Sequence, residues 1–215
     1  MQNRFYILVD YDNFAKNVFG GKDRNRISLD AIADTARLLA CSSRFFDGAE
    51  PKGHILIRLY GGWFYRDRDS HDAQDLIGEI RSRPSGTFRL NENTPLYVDF
   101  QLATDMLSMK NKSFYATCRI DRYDTCPKCQ SLKRGRDVYQ KLVDTMLGCD
   151  FIRLSDQGMP VAVVTSDDDL VPPLFQQAAL GKPVFHVLTT DCPASSFIDY
   201  YDPIHPDGYH CIPRD

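Results

Sequence analysis

Short apolar runs that end in acids, separated by stretches with helical spacing, organise this chain. Residues 5–9 (Phe-Tyr-Ile-Leu-Val) are apolar without alternation and stop at Asp10, which suits a strand buried on both faces. A helix is expected from Ser28, with Ile32, Ala36, Leu39 and Ala40 on one face, a hydroxyl to cap it and Asp30 as an early acid. Pro51 and Gly53 break the chain before a second apolar run, His54–Tyr60, which Gly61-Gly62 stops. Ala73, Leu76, Ile77 and Ile80 predict an amphipathic helix over 67–83, ended by Pro84-Ser85-Gly86. Strands are expected over 95–102 and 113–120, with Lys110-Asn111-Lys112 as the turn between them. A long helix is expected from about Val138 to Leu154, with Leu142, Met146, Cys149 and Ile152 inward. Pro160 precedes Val161-Ala162-Val163-Val164, a buried strand leading into Thr165-Ser166-Asp167-Asp168-Asp169. A helix over 171–180 follows, and Gly181-Lys182-Pro183 turns the chain into a last strand, Val184–Leu188.

This alternation predicts an α/β fold, a mostly parallel sheet with helices on both faces. No linker divides it, so residues 1–215 are expected to form one domain. The composition, 43% hydrophobic and 26% charged, is ordinary for a globular protein. No apolar run approaches the roughly 18 residues of a membrane span, and the N-terminus lacks the apolar stretch of a secretory signal. A cytoplasmic protein with no membrane partner is therefore expected. Seven cysteines, an odd number, fit reduced thiols better than a disulfide framework. The net charge of -3 argues against a broad nucleic-acid-coating surface. The charge is uneven, however: between Lys110 and Lys141 nine basic residues face three acids. That zone reads equally as a polyanion contact or as a solvated charged insert.

In open parallel sheets, functional residues gather outside the carboxyl ends of the strands. Asp10 follows one apolar strand; Asp167 and Asp169 follow another. If the two strands are neighbours, these carboxylates converge, and Asp144, early in the helix feeding the second strand, could lean into the same place. Crowded carboxylates repel unless a cation neutralises them. Oxygen-only ligands favour Mg²⁺ or Mn²⁺, which can activate water and stabilise charge developing on a phosphodiester. The bland alternative is that Asp168 or Asp169 caps the next helix.

Three segments in this order resemble the NYN domains of the PIN-like nuclease superfamily. These are Asp10-Tyr11-Asp12-Asn13, then Gln140-Lys141-Leu142-Val143-Asp144 with Asp150 beyond it, then Thr165-Ser166-Asp167-Asp168-Asp169-Leu170-Val171-Pro172-Pro173-Leu174. Ser166 stands where that family usually has glycine, and Leu170 where it has an aromatic residue. The stretch from about Asn91 to Arg136 looks like an insert, and Val98-Asp99 within it mimics the helix motif. The resemblance implies a three-layer domain and metal-dependent cleavage of RNA. Asp10, Asp144 and Asp167 would be the principal ligands, with Asp169 joining directly or through water. Asn13 would orient a ligand or phosphate, and Ser166 and Lys141 are further substrate-side candidates. Oligomeric state, including a homo-oligomer, is left open.

Within the basic zone, Cys126-Pro127-Lys128-Cys129 is a turn of zinc-knuckle type, with Cys118 upstream. A structural Zn²⁺ site is one reading; ordinary reduced cysteines or a redox pair is the other. Such a knuckle would stiffen the segment bearing Lys133, Arg134 and Arg136 for phosphate contact. Two rival functions are kept. One is a non-catalytic RNA-binding module of the same fold. The other is a haloacid-dehalogenase-like phosphatase, whose nucleophile motif Asp10-Tyr11-Asp12 imitates, although its later lysine and acidic motif do not fit the spacing here.

Overall fold

The computed structural model describes residues 4–19, 29–41, 53–62, 64–65, 68–69, 71–83, 88–91, 94–103, 125–126, 131–134, 137–140, 143–189 and 209–212. Apolar side chains with no polar alternation drive the first strand, β1 (Arg4–Asp10), into the middle of a seven-stranded sheet, where Ile7, Leu8 and Val9 have no exposed surface. To one side lie β2 (Gly53–Tyr60), β6 (Thr94–Leu102) and the edge strand β5 (Phe88–Asn91). To the other lie β10 (Val161–Val164), β11 (Val184–Val187) and β12 (Tyr209–Ile212). Every pairing is parallel except that of β5 with β6. All residues of β10 and β11 are buried, as in strands covered on both faces.

Among the described residues, five helices flank the sheet. α1 (Tyr11–Phe19) follows β1 without a break, and α2 (Leu29–Cys41) precedes β2. α3 (His71–Ser82) contacts β6, α4 (Val143–Asp156) contacts β1, β2 and β10, and α5 (Val171–Ala179) contacts β11 and β12. Gly158, at φ 70°, ends α4 in the left-handed conformation, and Met159 N donates to the Leu154 carbonyl at 3.1 Å. This αL closure suits glycine and aims the chain into β10. A second, antiparallel sheet comprises β3 (Phe64–Tyr65), β4 (Arg68–Asp69), β7 (Thr125–Cys126), β8 (Ser131–Arg134) and β9 (Asp137–Gln140), in the order β4-β3-β9-β8-β7.

Several expectations are corrected. The helix expected from about Val138 begins at Val143, because Asp137–Gln140 pairs with β8 instead. The helix expected over 67–83 begins at His71, since Arg68–Asp69 pairs with β3. Thr94–Leu102, assigned to the 91–136 insert, lies beside β2 in the main sheet, with Val98 buried. Val184–Leu188 is not the last strand, because β12 pairs with β11 beyond it. The strand expected over 113–120 lies outside the described residues. Among those that are described, no helix is long and apolar enough to cross a membrane.

Candidate metal centre

β1 and β10 are adjacent and parallel, with Val9 opposite Val164, so the chain leaves both strands at the same edge. From β1 the sheet grows outward through β2 in one direction and through β10 in the other. This reversal of strand order opens a crevice at the carboxyl ends, the usual place for ligands in such sheets. Asp10 closes β1, and Asp167 stands three residues beyond β10. Asp144 lies in the first turn of α4, which packs across these strands. One carboxylate oxygen from each of Asp10, Asp144 and Asp167 lies within 4.8 Å of the others.

Asp10 is only 3% exposed. Its Oδ1 accepts from Asn13 N at 3.1 Å, and its Oδ2 accepts from the Thr165 hydroxyl at 2.9 Å. Burial nonetheless pushes its pKa up to about 7, with the Asp144 and Asp12 carboxylates adding to the rise and the two hydrogen bonds opposing it. Thr165 is fully buried and links two acids: its oxygen also accepts from Asp167 N at 3.0 Å. Its carbonyl accepts from His186 Nε2 at 3.0 Å. His186 is held neutral, its pKa lowered to about 4 chiefly by burial.

A second net of hydrogen bonds fixes the loops. Asn13 Oδ1 accepts from Ser166 N at 3.0 Å, Asn17 Nδ2 at 2.9 Å and the Thr189 hydroxyl at 2.6 Å. Ser166 Oγ accepts from Thr189 N at 2.9 Å. Asn13 and Ser166, taken from the sequence as substrate-side residues, thus bind each other's segments and clamp α1 to the loop after β10.

Asp169 is outside the set of three carboxylates whose oxygens lie within 4.8 Å of one another. It is exposed, and its backbone N donates to Asp167 Oδ1 at 3.0 Å. The capping acid is therefore Asp167, on the 3-10 turn Asp168–Leu170, while α5 begins at Val171 with Leu170 as its N-cap and no side-chain hydrogen bond there. Asp99 lies elsewhere, its Oδ2 2.7 Å from His54 Nε2. Asp150 has no exposed surface and receives Arg58, Tyr60 and Arg153 side chains, so it anchors α4 rather than joining the triad. Cys118, Cys129, Arg136 and Lys141 lie outside the described residues. Cys126, Lys133 and Arg134 are placed only as strand positions in β7 and β8.

Sequence reasoning passed over Asn17, Thr165, Thr189 and His186 as site residues. A histidine inside the apolar run Val184–Leu188 is itself a signal, because a buried imidazole needs a polar partner. Asn17 follows Asn13 by four residues and shares its helical face, but α1 was not foreseen.

The donor chemistry of the triad could hold a hard divalent cation: all three groups are carboxylates, each with one oxygen within 4.8 Å of the others. Comparison with models of protein families, with curated proteins and with solved structures gave no match to this chain.

Proposed function

We propose that the protein is a divalent-metal-dependent nuclease of PIN-like, NYN type that cleaves RNA. The observation that carries this reading is the meeting of Asp10, Asp144 and Asp167 at the switch point of a parallel sheet. It is the set, in the same order, that the three motif segments resemble. Mg²⁺ or Mn²⁺ is the proposed cofactor, since carboxylate oxygens suit these ions better than zinc. When bound there, such a cation lowers the pKa of a water molecule and neutralises charge developing on a phosphodiester.

The chain's own residues divide the remaining work. Asp10 must give up the proton that burial favours, and the Thr165 hydroxyl and Asn13 N then hold both of its oxygens in place. Asp167 is oriented through its backbone N–H to Thr165 and its Oδ1 to Asp169 N. Asp144 is presented by α4, which the ion pair of buried Asp150 with Arg58 fixes on β2. The Asn13–Ser166–Thr189 net keeps the two loops from drifting apart. The basic zone between Lys110 and Lys141 is proposed to contact the phosphate backbone, because β9 ends within three residues of α4. A structural zinc at Cys118, Cys126 and Cys129 belongs to the same proposal.

The test is incubation of the purified chain with mixed cellular RNA, with Mn²⁺ or with EDTA. Cleavage is expected with Mn²⁺ alone, and Asp167→Asn is expected to reduce it by about 10²-fold or more. Asp30→Asn, an exposed partner of Arg83 far along the sequence, is expected to cleave at the parental rate. Chelator-independent binding with no cleavage would favour the non-catalytic RNA-binding reading. Trapping of a phospho-aspartate would favour the phosphatase.

A further inference from the structure

A groove of about 410 Å³ runs between α4 and the segment Asp169–Pro173. Its α4 wall is a stripe at helical spacing that begins at Asp144 and passes Cys149 to Ile152. Leu170 and Pro173 form the opposite wall, and Asp169 stands on its rim. Asp144 belongs to both the groove and the triad, so the groove adjoins the candidate metal centre. From Asp144 to Ile152 the helix rises roughly 12 Å at 1.5 Å per residue, and the volume lies within the usual range for a small-ligand site.

The lining decides what can enter. None of the described lining residues is cationic, and two are carboxylates, so a phosphate is repelled from this part of the cleft. Carbon and sulfur surfaces from Cys149, Ile152 and Pro173 suit the flat face of a base or a sugar ring. Asp169 is exposed at the rim and is not one of the triad, so its carboxylate is placed to accept from a ligand hydroxyl. A sugar 2′-hydroxyl is the group that distinguishes RNA from DNA.

We infer that this groove seats the nucleoside adjoining the phosphate presented to the triad, and that Asp169 accepts a hydrogen bond from its ribose 2′-hydroxyl. The inference rests on the nuclease reading and adds to it the part of the substrate that is read and the residue that reads it. A deoxyribose leaves the Asp169 carboxylate without that donor, and an oligodeoxyribonucleotide binds more weakly in consequence.

The experiment measures fluorescence anisotropy of labelled single-stranded ten-nucleotide RNA and DNA of matched sequence, with the full chain in EDTA. The parent is expected to bind the RNA roughly 10-fold more tightly than the DNA. Asp169→Ala is expected to bring the two affinities together by weakening RNA alone. Cys149→Trp, at an exposed position, and Ile152→Trp each fill the groove and are expected to weaken both oligonucleotides by roughly 10-fold or more. Equal parental affinity for RNA and DNA, no binding of either, or parental binding by Asp169→Ala and Cys149→Trp would overturn the inference. A parallel melt with Mn²⁺ separates the two readings. If Mn²⁺ stabilises the parent and the variants alike while binding ignores the groove, only the groove assignment falls. If Mn²⁺ leaves the parent unchanged, the nuclease reading falls.

Discussion

At the scale of single residues, Asp10 and His186 set opposite pH dependences on the metal-free protein. Asp10 has a folded pKa near 7 against 3.8 for an ordinary aspartate, so the folded state holds the extra proton between those limits. Its contribution to stability is greatest below pH 3.8 and is lost as pH rises towards 7. His186 has a folded pKa near 4 against 6.5, so the unfolded state binds the proton first. Its contribution is present above pH 6.5 and is lost as pH falls towards 4. The two slopes oppose each other across nearly the same window. Asp10→Asn removes one of them, and its urea midpoint is therefore expected to fall more steeply than that of the parent between pH 6.5 and 4. Saturating Mn²⁺, by holding Asp10 ionised, is expected to steepen the parent in the same way. A variant whose profile parallels the metal-free parent would contradict the assigned burial of Asp10. The sequence marks Asp10 as a ligand candidate past the end of a strand, but its depth of burial was not visible there. Only the buried hydroxyl of Thr165 and the depth of β1 reveal its environment.

At the scale of elements, the decisive placement is that of α4. Asp150 is buried against Arg58 and Tyr60 of β2, and Arg153 Nε lies 3.1 Å from its Oδ1. Arg58 Nε and Nη2 also reach Gln101 of β6 at 3.3 and 3.2 Å, so all three guanidinium nitrogens are engaged, by two residues. Removing Asp150 strands a largely buried cation. Asp150→Ala is expected to destabilise the fold by about 3–5 kcal/mol in urea titration. A loss below about 1 kcal/mol would show that the ion pairs are replaceable by water. Asp150 read from sequence as a late acid of a candidate active-site helix, and its partners could not be inferred, because Arg58 lies in an otherwise apolar run. The strands at 5–9, 54–60, 161–164 and 184–188 were legible because continuous apolar runs have few alternatives. The start of α4 was not, because Val138 and Tyr139 fit a helical apolar stripe as well as a strand. Pairing with β8 settled them as strand.

At the scale of the whole molecule, the sheet order turns scattered sequence positions into one centre. That Asp10 and Asp167 would converge depended on β1 and β10 being neighbours, a fact of topology that the apolar runs suggest but do not dictate. The 91–136 stretch shows the limit of reading by segment. Its first part supplies β6, between β2 and β5, and later parts supply β7 and β8 of a separate antiparallel sheet. Pairing partners more than forty residues apart, such as Leu56 with Asp99, leave no local signal. The central claim is that three carboxylates from these distant segments share one cation, and thermal melts with and without Mn²⁺ test it most directly. At a Mn²⁺ concentration 100-fold above its dissociation constant, the parent is expected to gain about 5–10 °C in melting temperature. Asp10→Asn, Asp144→Asn and Asp167→Asn are each expected to lose most of that gain while remaining folded. A parent that gains nothing at any Mn²⁺ concentration, or a gain that all three variants keep, would contradict the account.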